Sequence, residues 1–168
     1  TESDVAADRN HRCFFNCKSL TSFPFNHLKG RIGYNEFNGC EVLETPDDNC
    51  TFSGITALNA YGEYSDTDTT NTVNNYSGAF KNCIAITKLT FDDTCTFTFV
   101  GADFAYGCTA LREVRLPKTC MRICSGAFDE CTVLGSIIAP EGIVVETNGI
   151  FLNTTIHHYN VETGEMID

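Results

Sequence analysis

The chain has 168 residues, 42% of them apolar and 20% charged, and its formal net charge is -11. That length suits one ordinary domain or a short stack of repeats, and the apolar share is large enough to bury a core. The acidic balance argues against nucleic acid, whose phosphates need a basic stripe, and against anionic membrane surfaces.

Residues 1–12 carry no repeat features and are expected to cap one end or fray. The opening TESDVAADRN lacks the apolar stretch of a signal peptide, as a mature form would after its leader is removed. No apolar run approaches the length of a membrane span, so membrane insertion is not expected.

From residue 13 onward one pattern recurs. Cys17, Cys40, Cys83, Cys108 and Cys131 occupy one slot. Three residues earlier stand Phe14, Phe37, Phe80, Ala105 and Phe128, and three later stand Leu20, Leu43, Ile86, Leu111 and Leu134. Ile55 and Thr154 are expected to hold the same slot, which gives steps of 23, 15, 28, 25, 23 and 23 residues. Self-similarity in this range marks a solenoid, in which one unit cannot bury its own apolar face and the stack buries a continuous core. Six to seven units are expected over residues 13–161, followed by a tail at 162–168.

Within a unit, the interval from the aromatic residue to the slot is too short for a long helix and fits a single helical or 3-10 turn. Six and eight residues after the slot come Phe23 and Phe25, Leu89 and Phe91, Val114 and Leu116, Ile137 and Ala139, with mixed residues between them. That alternation predicts a short half-buried strand, closed by Pro117 or Pro140. The expected fold is an α/β-type repeat solenoid with one short strand per turn in a parallel sheet. Between two of the units, residues 61–77 form a polar insertion, the kind of loop on which repeat proteins carry specific contacts.

The ten cysteines suggest packing more than cross-linking. Equivalent slots in a straight ladder lie ~4.8 Å apart, whereas a disulfide needs Cβ atoms roughly 3.8 Å apart with a set dihedral. Free, buried thiols acting as small hydrophobes fit better. Cys95 and Cys120 form a second column, which Ile143 continues.

The run Ile123, Phe128, Cys131, Leu134, Ile137, Ala139-Pro140 resembles the BspA-like leucine-rich repeat, and the likeness covers roughly residues 13–161. Three units depart from the pattern. Phe104-Ala105 is reversed, the unit at Cys40 lacks a full strand before Pro46, and Ile55 replaces a cysteine. The resemblance implies a right-handed leucine-rich solenoid with no catalytic residues and no cofactor. It also implies a surface-exposed or secreted protein linked to adhesion and to recognition of host or matrix proteins.

Candidate sites follow from this layout. Lys88, Thr90, Glu113, Arg115, Ser136 and Ile138 should align on the outer face of adjacent strands, a surface that repeat stacks use for partners. Tyr61, Tyr64, Asp66, Asp68 and Tyr76 mark the insertion as a second candidate. A protein or glycan is the expected partner; a structural spacer without a ligand is the alternative reading. Metal and cysteine chemistry are remote. Cys13 and Cys17, Cys120 and Cys124, and His11, His27, His157 and His158 do not make a four-ligand zinc pattern. Cys13 falls in a small-residue position shared with Ala79 and Ala127. No base-and-nucleophile arrangement or phosphate loop is evident.

Overall fold

The recurring aromatic, cysteine and leucine positions all turn inward. Phe37, Cys40, Leu43, Phe80, Cys83, Ile86, Cys108 and Leu111 are fully buried, and they join one continuous core. The computed structural model describes residues 12–45, 50–58, 78–146 and 153–168. Its strands, in chain order, are β1 (Gly30–Ile32), β2 (Thr51–Phe52), β3 (Ile55–Leu58), β4 (Lys88–Phe91), β5 (Phe99–Val100), β6 (Glu113–Arg115), β7 (Arg122–Ile123), β8 (Ser136–Pro140), β9 (Val144–Val145) and β10 (Thr155–Tyr159).

The coil has two strand-bearing sides and one corner of turns. On the first side a five-stranded parallel sheet runs β10-β8-β6-β4-β2. The second side carries the parallel pair β1-β3 and the parallel three-stranded sheet β5-β7-β9. Parallel pairing of strands separated by whole units is the mark of a β-solenoid, because each strand must travel once around the coil before it meets its neighbour.

The corner is where the expected helical turns do not appear. The one 3-10 helix among the described residues is Phe25–His27, which takes the place of a strand in the first unit. The aromatic-to-slot segments are isolated turns closed by bonds such as Cys40 N–H to Phe37 O and Cys83 N–H to Phe80 O, 3.0 and 3.1 Å. The backbone explains why they do not continue as helix. The residue before the slot is left-handed in every unit: Asn16, Gly39, Asn82, Gly107 and Glu130, with φ of 56°, 77°, 58°, 72° and 61°. So is the residue five before it: Arg12, Asn35, Gly78, Asp103 and Gly126. A left-handed residue stops right-handed helical hydrogen bonding, and Gly and Asn reach that conformation at least cost.

Neighbouring corners are tied rung to rung. Phe37 N–H bonds Ala79 O and Gly39 N–H bonds Lys81 O, both at 2.8 Å; Phe80 repeats the pattern onto Phe104 and Asn82 onto Tyr106. Each slot thiol also donates to the carbonyl three residues before the previous slot. Cys40 reaches Phe14 O, Cys83 reaches Phe37 O and Cys108 reaches Phe80 O at 3.0 Å, and Cys131 reaches Ala105 O at 3.1 Å.

These contacts correct the register read from spacing. The Cys83 corner packs directly on the Cys40 corner, so Ile55 is not a slot. Ile55 begins β3 and lies beside Cys95, where Thr96 N–H bonds its carbonyl at 2.8 Å. Cys40 to Cys83 is one long unit that contains the insertion. The strand missing before Pro46 comes after it, because Phe52 pairs with Phe91. Thr154 is not a slot either: Thr155 pairs with Ser136, and the Thr154 hydroxyl donates to Leu134 O at 2.6 Å. The reversed pair at Phe104-Ala105 is accommodated. Phe14, Phe37 and Phe80 stack nearly parallel at 5.2 and 5.3 Å, and Phe104 continues the column edge-on to Phe80 at 5.4 Å.

After β10 the chain doubles back. Asn160 Oδ1 accepts from the N–H groups of Glu162 and Thr163, Gly164 adopts φ 74°, and Ile167 N–H bonds His158 O at 2.9 Å. The segment expected as a tail thus pairs antiparallel with the last strand, through the Tyr159–Met166 bridge. Covering a sheet edge in this way removes a template for unwanted pairing.

Candidate functional site

Alternation along β4, β6 and β8 sends Leu89, Val114 and Ile137 into the core and leaves Lys88, Thr90, Glu113, Arg115, Ser136 and Ile138 half-buried on the outer face. The pairing brings these six together as two rows: Lys88 beside Glu113 beside Ser136, and Thr90 beside Arg115 beside Ile138. At ~4.8 Å between strands, each row of three spans roughly 10 Å. Both rows extend further than spacing suggested. Thr155 continues the first, while Thr51 and His157 extend the second. Spacing conceals Thr51 because the extra residues before β2 shift its count, and His157 because Thr154 matches the slot by spacing.

The two rows differ electrostatically. Lys88 Nζ lies 3.0 Å from a Glu113 carboxylate oxygen, with the side chains 35% and 37% exposed. An exposed pair of this kind contributes little to stability and neutralises its own row. Arg115 instead rests on the Tyr159 ring, its guanidinium carbon 4.8 Å from the centroid. Tyr159 is itself held in place, its hydroxyl donating to Leu116 O at 3.0 Å. Burial and the nearby Asp93 push its phenol up to about 12, against the opposing pull of Arg115. No feature of the sequence singled out Tyr159, whose partner lies two strands away.

Of the insertion, Tyr61, Tyr64, Asp66, Asp68 and Tyr76 lie outside the described residues, as does His11. The chain leaves the second side at Leu58 and re-enters at the corner at Gly78.

All ten cysteines are free thiols, with Cys13 exposed, Cys17 half-buried and the other eight buried. Burial pushes Cys40 and Cys95 up to about 11, and Cys120 and Cys131 up to about 12; Cys83 and Cys108 rise further for the same reason. A thiol held protonated is a poor nucleophile and a poor metal ligand. Cys13 is not packed like Ala79 and Ala127, which are fully buried, because it lies in the first described unit, beside Glu36. Among the described residues no group of three or more His, Cys, Asp or Glu side chains could hold a metal ion. Among them, too, no helix is long and apolar enough to cross a membrane.

The family model for the BspA type leucine rich repeat region, which contains six copies of the repeat, matches residues 9–98 and again 67–167. The chain belongs to that family. No curated protein matches the sequence, and no solved structure does.

Proposed function

We propose that this leucine-rich solenoid is a non-catalytic recognition module that binds a protein or glycan through the outer face of its five-stranded sheet. The observation that carries the reading is the in-register alignment of Lys88, Glu113 and Ser136, and of Thr90, Arg115 and Ile138, drawn from three separate units onto one half-buried surface. A parallel stack presents such rows on a rigid support, and binding a partner there needs little ordering of the protein. The protonated, inward thiols supply no nucleophile. Membership of a family whose proteins are often surface-associated supports an extracellular or cell-surface setting and a role in adhesion to host or matrix components. The insertion at 61–77 is a second contact surface in the same proposal.

The test is capture from host serum and mucosal extract with the folded chain as bait, alongside a variant with Lys88, Glu113 and Arg115 all replaced by Ala. A partner retained by the native chain and lost with the variant supports the strand face. Equal capture by both moves binding away from that face. The spacer reading gains if neither chain retains anything above a bare-resin control.

A further inference from the structure

Arg115 is placed differently from Lys88, the other cation among the six candidate face residues. No carboxylate of the described residues lies within 4.0 Å of its guanidinium, and it makes no hydrogen bond to them. Its guanidinium lies over the face of Tyr159, which is 1% exposed and anchored to Leu116 O. The nearest face carboxylate along its own strand, Glu113, is engaged by Lys88. Beside Arg115 on β4 the Thr90 hydroxyl is enclosed and has no partner among the described residues. Ile138 flanks it on β8.

An aromatic ring under a guanidinium fixes its orientation without using its N–H donors. The planar fork matches a carboxylate. Polyanions fit the molecule as a whole poorly, since a chain of net charge -11 repels them at long range. A single carboxylate carried by an otherwise uncharged ligand meets far less of that repulsion. Ile138 beside the fork suits an apolar neighbour of that carboxylate.

We infer that Arg115 anchors a carboxylate-binding subsite on the sheet face, flanked by Thr90 and Ile138. Its ligand is a polypeptide offering one carboxylate, from Asp, Glu or a free C-terminus, next to an apolar side chain. The inference rests on the strand-face reading above and specifies the partner's chemistry.

A synthetic hexapeptide library, with C-termini made both as acids and as amides, is screened against the full chain by fluorescence polarisation. Selected peptides are expected to carry a carboxylate. Changing it to Asn, Gln or the amide weakens binding roughly 10- to 100-fold, the range for a charge-assisted hydrogen bond. The acid and amide series separate a terminal carboxylate from a side-chain one. Arg115→Met is expected to lose the same factor, with little further loss when the neutral peptide is used. Arg115→Lys retains only part of the affinity, and Lys18→Met, far along the stack, retains all of it. A matching circular dichroism spectrum and urea midpoint for Arg115→Met show that the fold is kept. Selected peptides that lack a carboxylate, equal binding to Arg115→Met, or no peptide selected above background would each overturn the inference. Thr90→Arg blocks the face sterically and separates the two readings. Binding lost there but kept in Arg115→Met leaves the strand face standing and removes the carboxylate subsite, whereas binding kept in both removes the face itself.

Discussion

Raising the pH should unfold this protein well below the range in which most of its buried thiols would ionise. Cys40, Cys83, Cys95, Cys108, Cys120 and Cys131 are all buried, and burial raises each above the ordinary thiol value of 9.0. In the unfolded chain they ionise near that ordinary value. Their contribution to stability is therefore complete below pH 9 and is lost as the pH rises from there toward the folded values, about 11 for Cys40 and Cys95 and about 12 for Cys120 and Cys131. One pH unit above 9 costs about 1.4 kcal/mol per thiol. Six such groups bring the loss at pH 10 to about 8 kcal/mol, comparable to the whole stability of a typical domain, about 5–15 kcal/mol. Urea denaturation under a phosphine reductant at pH 8, 9, 9.5 and 10 measures the slope, and thiolate absorbance near 240 nm follows ionisation directly. Expected are a midpoint that collapses between pH 9 and 10 and thiolate absorbance that rises together with unfolding. Stability unchanged from pH 8 to 10, or thiolate signal appearing near pH 9 while the protein stays folded, would refute the argument.

Other consequences follow from particular contacts. Gly107→Ala places a Cβ where φ is 72° and Asn82 Oδ1 would stand 2.6 Å away, so a loss of about 1–3 kcal/mol is expected by urea denaturation; adding Asn82→Ala should recover only part of it. Phe80→Ala removes a ring from the middle of the aromatic column and should cost about 3–5 kcal/mol in the same assay. At Asp92 burial opposes the charge, but hydrogen bonds from Ser53 and Thr94, helped by Lys29, outweigh it and hold the carboxyl below its ordinary 3.8. Its contribution is present above that value and is lost as the pH falls through the lower folded value, so Asp92→Asn should cost about 1 kcal/mol at pH 7 and nothing once both chains are acidified below the folded value.

The corner chemistry is present in the sequence, though spacing alone does not expose it. Asn16, Gly39, Asn82 and Gly107 are residues that turn left-handed cheaply, and they recur just before the slot. Their alternation also has a packing reason. Asn16 lies over Gly39 and Asn82 over Gly107, in space that a Cβ would fill. The aromatic-to-slot spacing by itself fits a helical turn equally well, and only the sign of φ separates the two.

The sequence by itself determined the family, the inward columns of Phe, Cys and Leu, the strand alternation and the two outer rows from Lys88 to Ile138. All of these repeat with the period of the coil and so depend on local pattern. Tertiary structure decided what the period could not. The insertion breaks the count, so only contacts in space, such as the Cys83 thiol on the Phe37 carbonyl and the Gly39 N–H on Lys81 O, show that the Cys40 and Cys83 corners are neighbours. Ile55 and Thr154 matched the slot by spacing, but backbone pairing placed both elsewhere. Arg115 is set apart from Lys88 by Tyr159, which comes 44 residues later in the chain and reaches back over the sheet to Leu116. A contact of that range has no periodic signature.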